Sequence, residues 1–303
     1  MSRVTTIDLG FQGVRDIIAV FAAATGDGRV VLFESGPASS VDAVERGLGE
    51  LGFTLDDLAA VFVTHVHLDH SGGAGVLARR SGCTVFAHPA GGPHLVDPRA
   101  KLLPSAERLY GDMLVPLWGV TESVPQDQLE TVEHGATVRL GELEVTGWYS
   151  PGHAVHHVAW QLGGDVVTGD VAGVRFPGAG HVLPPMPPPD IDVETWRGSL
   201  DLLRKLRPER ILLTHYGAFD DVSRHLDELE ARLLRWTGIA ERIVAEGGSR
   251  EELGEALLAL DESEISAASL PDETVARYRR LCPMVENSAG LFRYVAKRAA
   301  ASG

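Results

Sequence analysis

The run Thr64-His65-Val66-His67-Leu68-Asp69-His70 packs four potential metal ligands into six residues, directly behind the apolar segment Ala60 to Val63. Neutral imidazoles with a carboxylate suit zinc or another borderline first-row metal, whereas magnesium and calcium sites are built mostly from oxygen. In an extended or turning segment His65 and His67 project to one side, and a turn after Leu68 swings Asp69 and His70 towards a second centre. Two adjacent metals are therefore geometrically accessible. The bland alternative is a histidine-rich surface loop, but such tracts rarely combine this spacing with a preceding buried strand.

Three further motifs each follow an apolar strand-like run: Ser150-Pro151-Gly152-His153, Thr168-Gly169-Asp170 and Leu213-Thr214-His215. Strand ends in layered α/β folds collect at one rim, so all these groups are expected to converge there although they are spread over much of the chain.

The positioning elements are legible as well. β-like segments recur at Val4 to Leu9, Asp16 to Ala23, Arg29 to Glu34, Ala60 to Val63, Thr84 to Ala87, Leu143 to Tyr149, Asp165 to Thr168 and Arg210 to Leu213. Several are almost wholly apolar, so helices must cover the sheet, and Ser40 to Leu51, Gly75 to Arg80 and Glu194 to Leu206 have the periodicity to do so. From Asp220 onward strands largely disappear, and Val222, Leu226, Leu229, Leu233 and Trp236 mark an amphipathic helix that opens a helical tail. Two segments read as irregular: about Pro89 to Gln128, and Phe176 to Asp190, whose Pro184-Pro185-Met186-Pro187-Pro188-Pro189 run cannot join a helix interior or a central strand.

At 303 residues, with 44% hydrophobic and 23% charged, the composition is that of a folded globular protein. The formal charge of -15 disfavours nucleic acid and anionic membranes as partners, because both need a basic patch. Cys83 and Cys282 are isolated in sequence and form neither a metal knuckle nor a disulfide framework. The first ten residues lack a basic segment followed by an apolar one, and no apolar stretch is long enough to span a bilayer, so a cytoplasmic location is expected.

The HxHxDH run, the later His153, Asp170 and His215, in this order, resemble the metallo-beta-lactamase-fold hydrolase superfamily over residues 1 to 220. Within it the chain is similar to the glyoxalase-II-like branch of stand-alone proteins. The resemblance implies an α/β fold, a four-layer αβ/βα sandwich, with a catalytic domain at 1–220 and a C-terminal helical extension at 221–303. It implies two divalent metals, zinc first, with iron or manganese as alternatives. One would be held by His65, His67 and His153, the other by Asp69, His70 and His215, with Asp170 bridging. The implied activity is hydrolysis of a small ester, thioester or lactone by a metal-bound hydroxide, with Asp69 as the catalytic residue that orients it and passes on its proton.

An iron-dependent oxidoreductase such as a sulfur dioxygenase, and a noncatalytic metal-binding protein, are the competing readings. Tyr216, His181 and Trp118 are candidate substrate contacts, though a tyrosine after a strand commonly packs in the core with its hydroxyl tied to a neighbour. His156 and His157 read as the start of the strand through Val158-Ala159-Trp160, one of them supporting a ligand from behind. His88, His94, His134 and His225 match no ligand motif and read as surface or structural residues. Apolar helices in the tail are compatible with a homodimer.

Overall fold

The computed structural model describes residues 4–302. Among them, two mixed sheets of six strands each form the core. The first takes, in spatial order, β1 (Thr5–Asp8), β2 (Ala19–Ala24), β3 (Val30–Phe33), β4 (Leu58–Phe62), β5 (Thr84–Ala87) and β6 (Leu129–Thr131). β1 to β3 pair antiparallel, and β3 to β6 parallel. The second runs from β7 (Thr137–Leu140) through β8 (Leu143–Tyr149), β9 (Val158–Leu162), β10 (Asp165–Val167) and β11 (Arg210–Leu213) to β12 (Gly217–Phe219). Its β10–β11 pair is parallel and the others antiparallel.

One buried cluster joins side chains of both sheets, among them Phe21, Phe33, Phe62, Val145, Val158, Trp160 and Leu212. Trp160 also donates its Nε1–H to the Val63 carbonyl at 3.1 Å, which ties the second sheet to the strand that carries the histidine run. Burying each such large apolar side chain contributes about 1.5–3 kcal/mol. Helices α1 (Val41–Glu50), α2 (Leu68–Ser71) and α3 (Ala74–Ser81) follow. α1 buries Val41, Val44 and Leu48 and approaches β1 so closely that a Cβ on Gly47 would stand 2.3 Å from an Ile7 methyl.

The segment expected to be irregular after Pro89 contains three short helices, α4 (Gly92–Val96), α5 (Leu102–Tyr110) and α6 (Leu114–Trp118). Pro93, Pro104 and Pro116 all fall in the first turn of their helix, where the N–H has no intrahelical acceptor and proline costs little. After the second sheet begins come α7 (Val193–Leu206), α8 (Val222–Ala245), α9 (Arg250–Ala268), α10 (Asp272–Leu281) and α11 (Met284–Ser302). The architecture is the sandwich of two mixed sheets with flanking and C-terminal helices that the resemblance implies.

By contacts the chain forms two compact units that interleave in sequence. The first holds the residues up to Ser150, His156–Gly169 and Pro208–Asp220, and so both sheets; the second holds Pro151–Val155, Asp170–Arg207 and the chain from Asp221 onward. Among the described residues no helix is long and apolar enough to cross a membrane.

Candidate metal centre

In the first unit the histidine run leaves β4 and turns into α2, with His67 in extended conformation at the helix start. The His70 N–H closes that turn on the His67 carbonyl at 3.0 Å, and the His70 carbonyl accepts from Ser35 N–H at 2.8 Å. Leu68 anchors the turn in an apolar cluster with Ala106, Leu114 and Trp118. The result brings five of the expected ligands together: the His65 and His70 rings lie 4.0 Å apart and the His70 and His215 rings 5.1 Å apart, centroid to centroid.

Outer partners decide which nitrogen each imidazole can offer. His215 Nδ1 faces the Ile17 carbonyl at 2.9 Å, so that nitrogen carries the proton. His70 Nδ1 faces Glu34 Oε1 at 2.8 Å with the same consequence. The Nε2 atoms of both then aim lone pairs at the same carboxylate oxygen, Asp69 Oδ2, at 3.3 Å for His215 and 3.6 Å for His70. Ligand atoms of these three residues all lie within 4.8 Å of one another. His65 adjoins them, with Nδ1 at 3.0 Å from Thr64 Oγ1 and Nε2 within hydrogen-bond distance of His67 Nδ1, at 3.0 Å. Neutral His70 and His215, protonated on Nδ1, present Nε2 lone pairs to the Asp69 carboxylate, an arrangement that a cation among them relieves, so the donor set fits a nitrogen- and carboxylate-binding divalent metal.

The support converges on one residue that sequence reasoning missed. Glu34, fully buried at the end of β3, accepts from Thr64 N–H at 3.0 Å, Thr64 Oγ1–H at 2.6 Å and Thr214 Oγ1–H at 3.1 Å besides His70. One carboxylate thereby fixes His70 directly, and His65 and His215 through their preceding threonines. Gly169 is required beside it: a Cβ there would stand 2.4 Å from Thr64 Oγ1, and its φ is +46°. His157 is likewise buried, its Nδ1 at 2.9 Å from Ser150 Oγ, and His156 stacks at 6.3 Å from the His65 ring.

In the second unit His153 and Asp170 lie together, Nε2 to Oδ2 at 3.4 Å, both buried. His153 Nδ1 is 2.9 Å from the Pro185 carbonyl, which again turns Nε2 towards a carboxylate. The turn bearing Asp170 is held by two ring N–H donors: Trp196 Nε1 reaches the Val171 carbonyl and His225 Nε2 the Ala172 carbonyl, each at 2.7 Å. His225, expected at the surface or in a structural role, is the structural anchor of that turn. Burial holds its pKa down at about 4, so the ring is neutral.

That depression has a measurable consequence. The folded pKa lies below the unfolded value of about 6.5, so the unfolded chain takes up the proton first as pH falls. The stability from neutral His225 is fully present above about pH 6.5 and lost as pH falls towards 4, about 3 kcal/mol in all. Urea unfolding at pH 7.5 and 4.5 should show this loss in the natural protein and its absence in His225→Gln, which retains a donor for Ala172.

The candidate substrate contacts fare differently. Tyr216 is half-buried against the core cluster. Burial, then Asp8 and Asp16, push its phenol pKa well up, so it is a hydrogen-bond donor. Trp118 stacks on Phe11 at 5.3 Å and meets Tyr110 edge-on, one wall of the cluster that includes Leu68. His181 has both ring nitrogens engaged within the second unit, Nε2 at 2.8 Å from Asp261 Oδ1 and Nδ1 at 3.2 Å from Arg232 Nη2. His181, Asp261 and Glu264 cluster tightly enough to suggest a further metal, but the cation there is Arg232, paired with Asp261 at 3.8 Å and with Glu264.

The model of the metallo-beta-lactamase superfamily matches residues 15–215. The metallo-beta-lactamase fold-containing protein ST1585 of Sulfurisphaera tokodaii is 30% identical over 202 residues, 66% of this chain and 73% of that protein. Its crystal structure superposes with a TM-score of 0.63 at 26% identity, over 77% of this chain and 87% of that one. The metallo-beta-lactamase family protein TTHA1429 from Thermus thermophilus shares the fold at a TM-score of 0.68 and 18% identity, over 98% of this chain and 94% of its own. The hydroxyacylglutathione hydrolase of Bradyrhizobium sp. (strain ORS 278) is 32% identical over 136 residues, 43% of this chain but only 40% of that enzyme's length. The chain belongs to the metallo-beta-lactamase superfamily.

Proposed function

We propose that the protein is a dinuclear metal hydrolase of small esters, thioesters or lactones, with one metal on His65, His67 and His153, the other on Asp69, His70 and His215, and Asp170 bridging. The observation that carries this reading is the aim of the His70 and His215 Nε2 atoms at Asp69 Oδ2, each fixed by an acceptor on its own Nδ1. Zinc is the expected occupant, because the donors are imidazoles and carboxylates and both cysteines are buried away from any ligand motif. When bound, such metals lower the pKa of a coordinated water from about 15.7 towards 7 and polarise a carbonyl oxygen.

The chain's own residues do the rest. Asp69 orients the attacking water, takes its proton and delivers it to the leaving oxygen or sulfur. The Leu68–Trp118 cluster offers an apolar wall suited to an acyl or aromatic group, whereas the Tyr216 hydroxyl, the other candidate contact, is hydrogen-bonded to Asp16. An acyl substrate is favoured because a relative carries the name hydroxyacylglutathione hydrolase, and the charge of -15 disfavours polyanions such as nucleic acid.

Metal analysis of the purified protein, coupled to a panel of lactones, thioesters, phosphodiesters and persulfides, tests the reading. Two zinc equivalents with turnover confined to the carboxylic substrates are expected. A single iron with oxygen uptake on a persulfide would replace it by an oxidoreductase, and metal without any turnover would leave a binding protein.

A further inference from the structure

In the run Pro184–Pro189 only Met186 has a backbone N–H, so this loop can be held from outside by one backbone donor alone. That donor is taken by α11: Met186 N–H donates to Asn287 Oδ1 at 2.8 Å. The carbonyl of the same peptide group, Pro185 C=O, is the acceptor for His153 Nδ1–H at 2.9 Å. A single peptide plane therefore links an imidazole to a carboxamide of the last helix. Asn287 is 2% exposed, so water does not compete for it, and its Nδ2 lies 3.4 Å from the Cys282 carbonyl, which orients the amide. α11 is seated against the loop so closely that a Cβ on Gly290 would stand 2.0 Å from the Met186 carbonyl oxygen.

We propose that Asn287 is a positioning residue for the metal centre, setting the orientation and donor strength of His153 through the Pro185–Met186 peptide. Hydrogen bonds in a chain polarise one another, so accepting the Met186 N–H makes the Pro185 oxygen a stronger acceptor for the imidazole N–H. A stronger acceptor behind a ligating histidine raises its basicity and locks its tautomer. Helix α11 thus reaches the chemistry without touching substrate. The role rests on His153 being a metal ligand, and the experiment separates the two.

Full-length natural protein, Asn287→Leu, Asn287→Ala, Asn287→Asp and His153→Ala are stripped of metal and titrated with Zn²⁺ against a chelator. The visible spectra of their cobalt forms and the melting of the metal-free chains are recorded alongside. Asn287→Leu should weaken one of two zinc steps by about 10- to 100-fold and shift the cobalt bands, with the other step unchanged. Asn287→Asp, which keeps an acceptor for Met186 N–H but loses the donor to the Cys282 carbonyl, should recover part of the natural affinity, an outcome that a mere loss of packing would not give. If Asn287→Leu does not fold, Asn287→Ala is read in its place. Unchanged zinc affinity in the folded variant, or equal weakening in Asn287→Asp, overturns the positioning role. If His153→Ala also keeps both zinc steps, the ligand assignment falls with it; if His153→Ala loses one and Asn287→Leu none, the positioning role alone falls.

Discussion

Asp69→Ala is expected to lose about 10²- to 10⁴-fold in kcat/KM on the best ester, thioester or lactone, the range that a positioned proton-transfer group contributes. At about 1.36 kcal/mol per tenfold this corresponds to ~3–5 kcal/mol of transition-state stabilisation. The choice of Asp69 follows from water access. Its side chain is 21% exposed, whereas those of His70 and His215, which aim at it, are 0% and 3% exposed. A group that must exchange protons with water and with a leaving group has to be reachable, and in this trio only the carboxylate is. Asp69→Asn separates holding metal from moving protons, since it keeps an oxygen towards His70 and His215 but cannot accept a proton. Zinc content should fall less in Asp69→Asn than in Asp69→Ala, while turnover falls nearly as far in both. A fully active Asp69→Ala protein would remove the mechanism.

The candidate metal-binding residues were legible because metal chemistry restricts the side chains that can serve, and because each stands just behind an apolar run that a sheet buries. Val63, Tyr149, Val167 and Leu213 end or closely follow strands, and the histidines and aspartates come a few residues later. The parts that fix those side chains left no such trace. Two of the acceptors that choose the imidazole tautomers are main-chain carbonyls, Ile17 and Pro185, and any residue type supplies a carbonyl. Glu34 was hidden for a different reason: it ends an apolar strand as one acidic residue among many, and its value lies in contacts with Thr64, His70 and Thr214 far along the chain. The helices α4 to α6 were masked by their prolines, which read as breakers unless their place in a first turn is known. Periodicity likewise marks α8 but says nothing of its His225 reaching back to the Ala172 carbonyl.

Glu34 carries the other large expected effect. All four of its contacts come from donors: Thr64 N–H, the Thr64 and Thr214 hydroxyls, and His70 Nδ1–H. Removing the carboxylate leaves these donors facing a dry cavity, and breaking such a buried polar hub costs about 3–5 kcal/mol. Glu34→Ala is therefore expected to lower the urea unfolding free energy of the metal-free protein by that amount, and to cost the zinc held through His70, whose ring would lose its tautomer. Glu34→Gln is the sharper variant because it fills the same space. Oε1 accepts from three donors and Oε2 from one, so whichever way the new amide is turned its NH₂ opposes an N–H or O–H. A loss of about 1–3 kcal/mol is expected from that mismatch alone, with zinc binding weakened at the His70 site. Natural stability and two zinc equivalents in Glu34→Gln would show that the carboxylate only fills volume, and that something else orients His70.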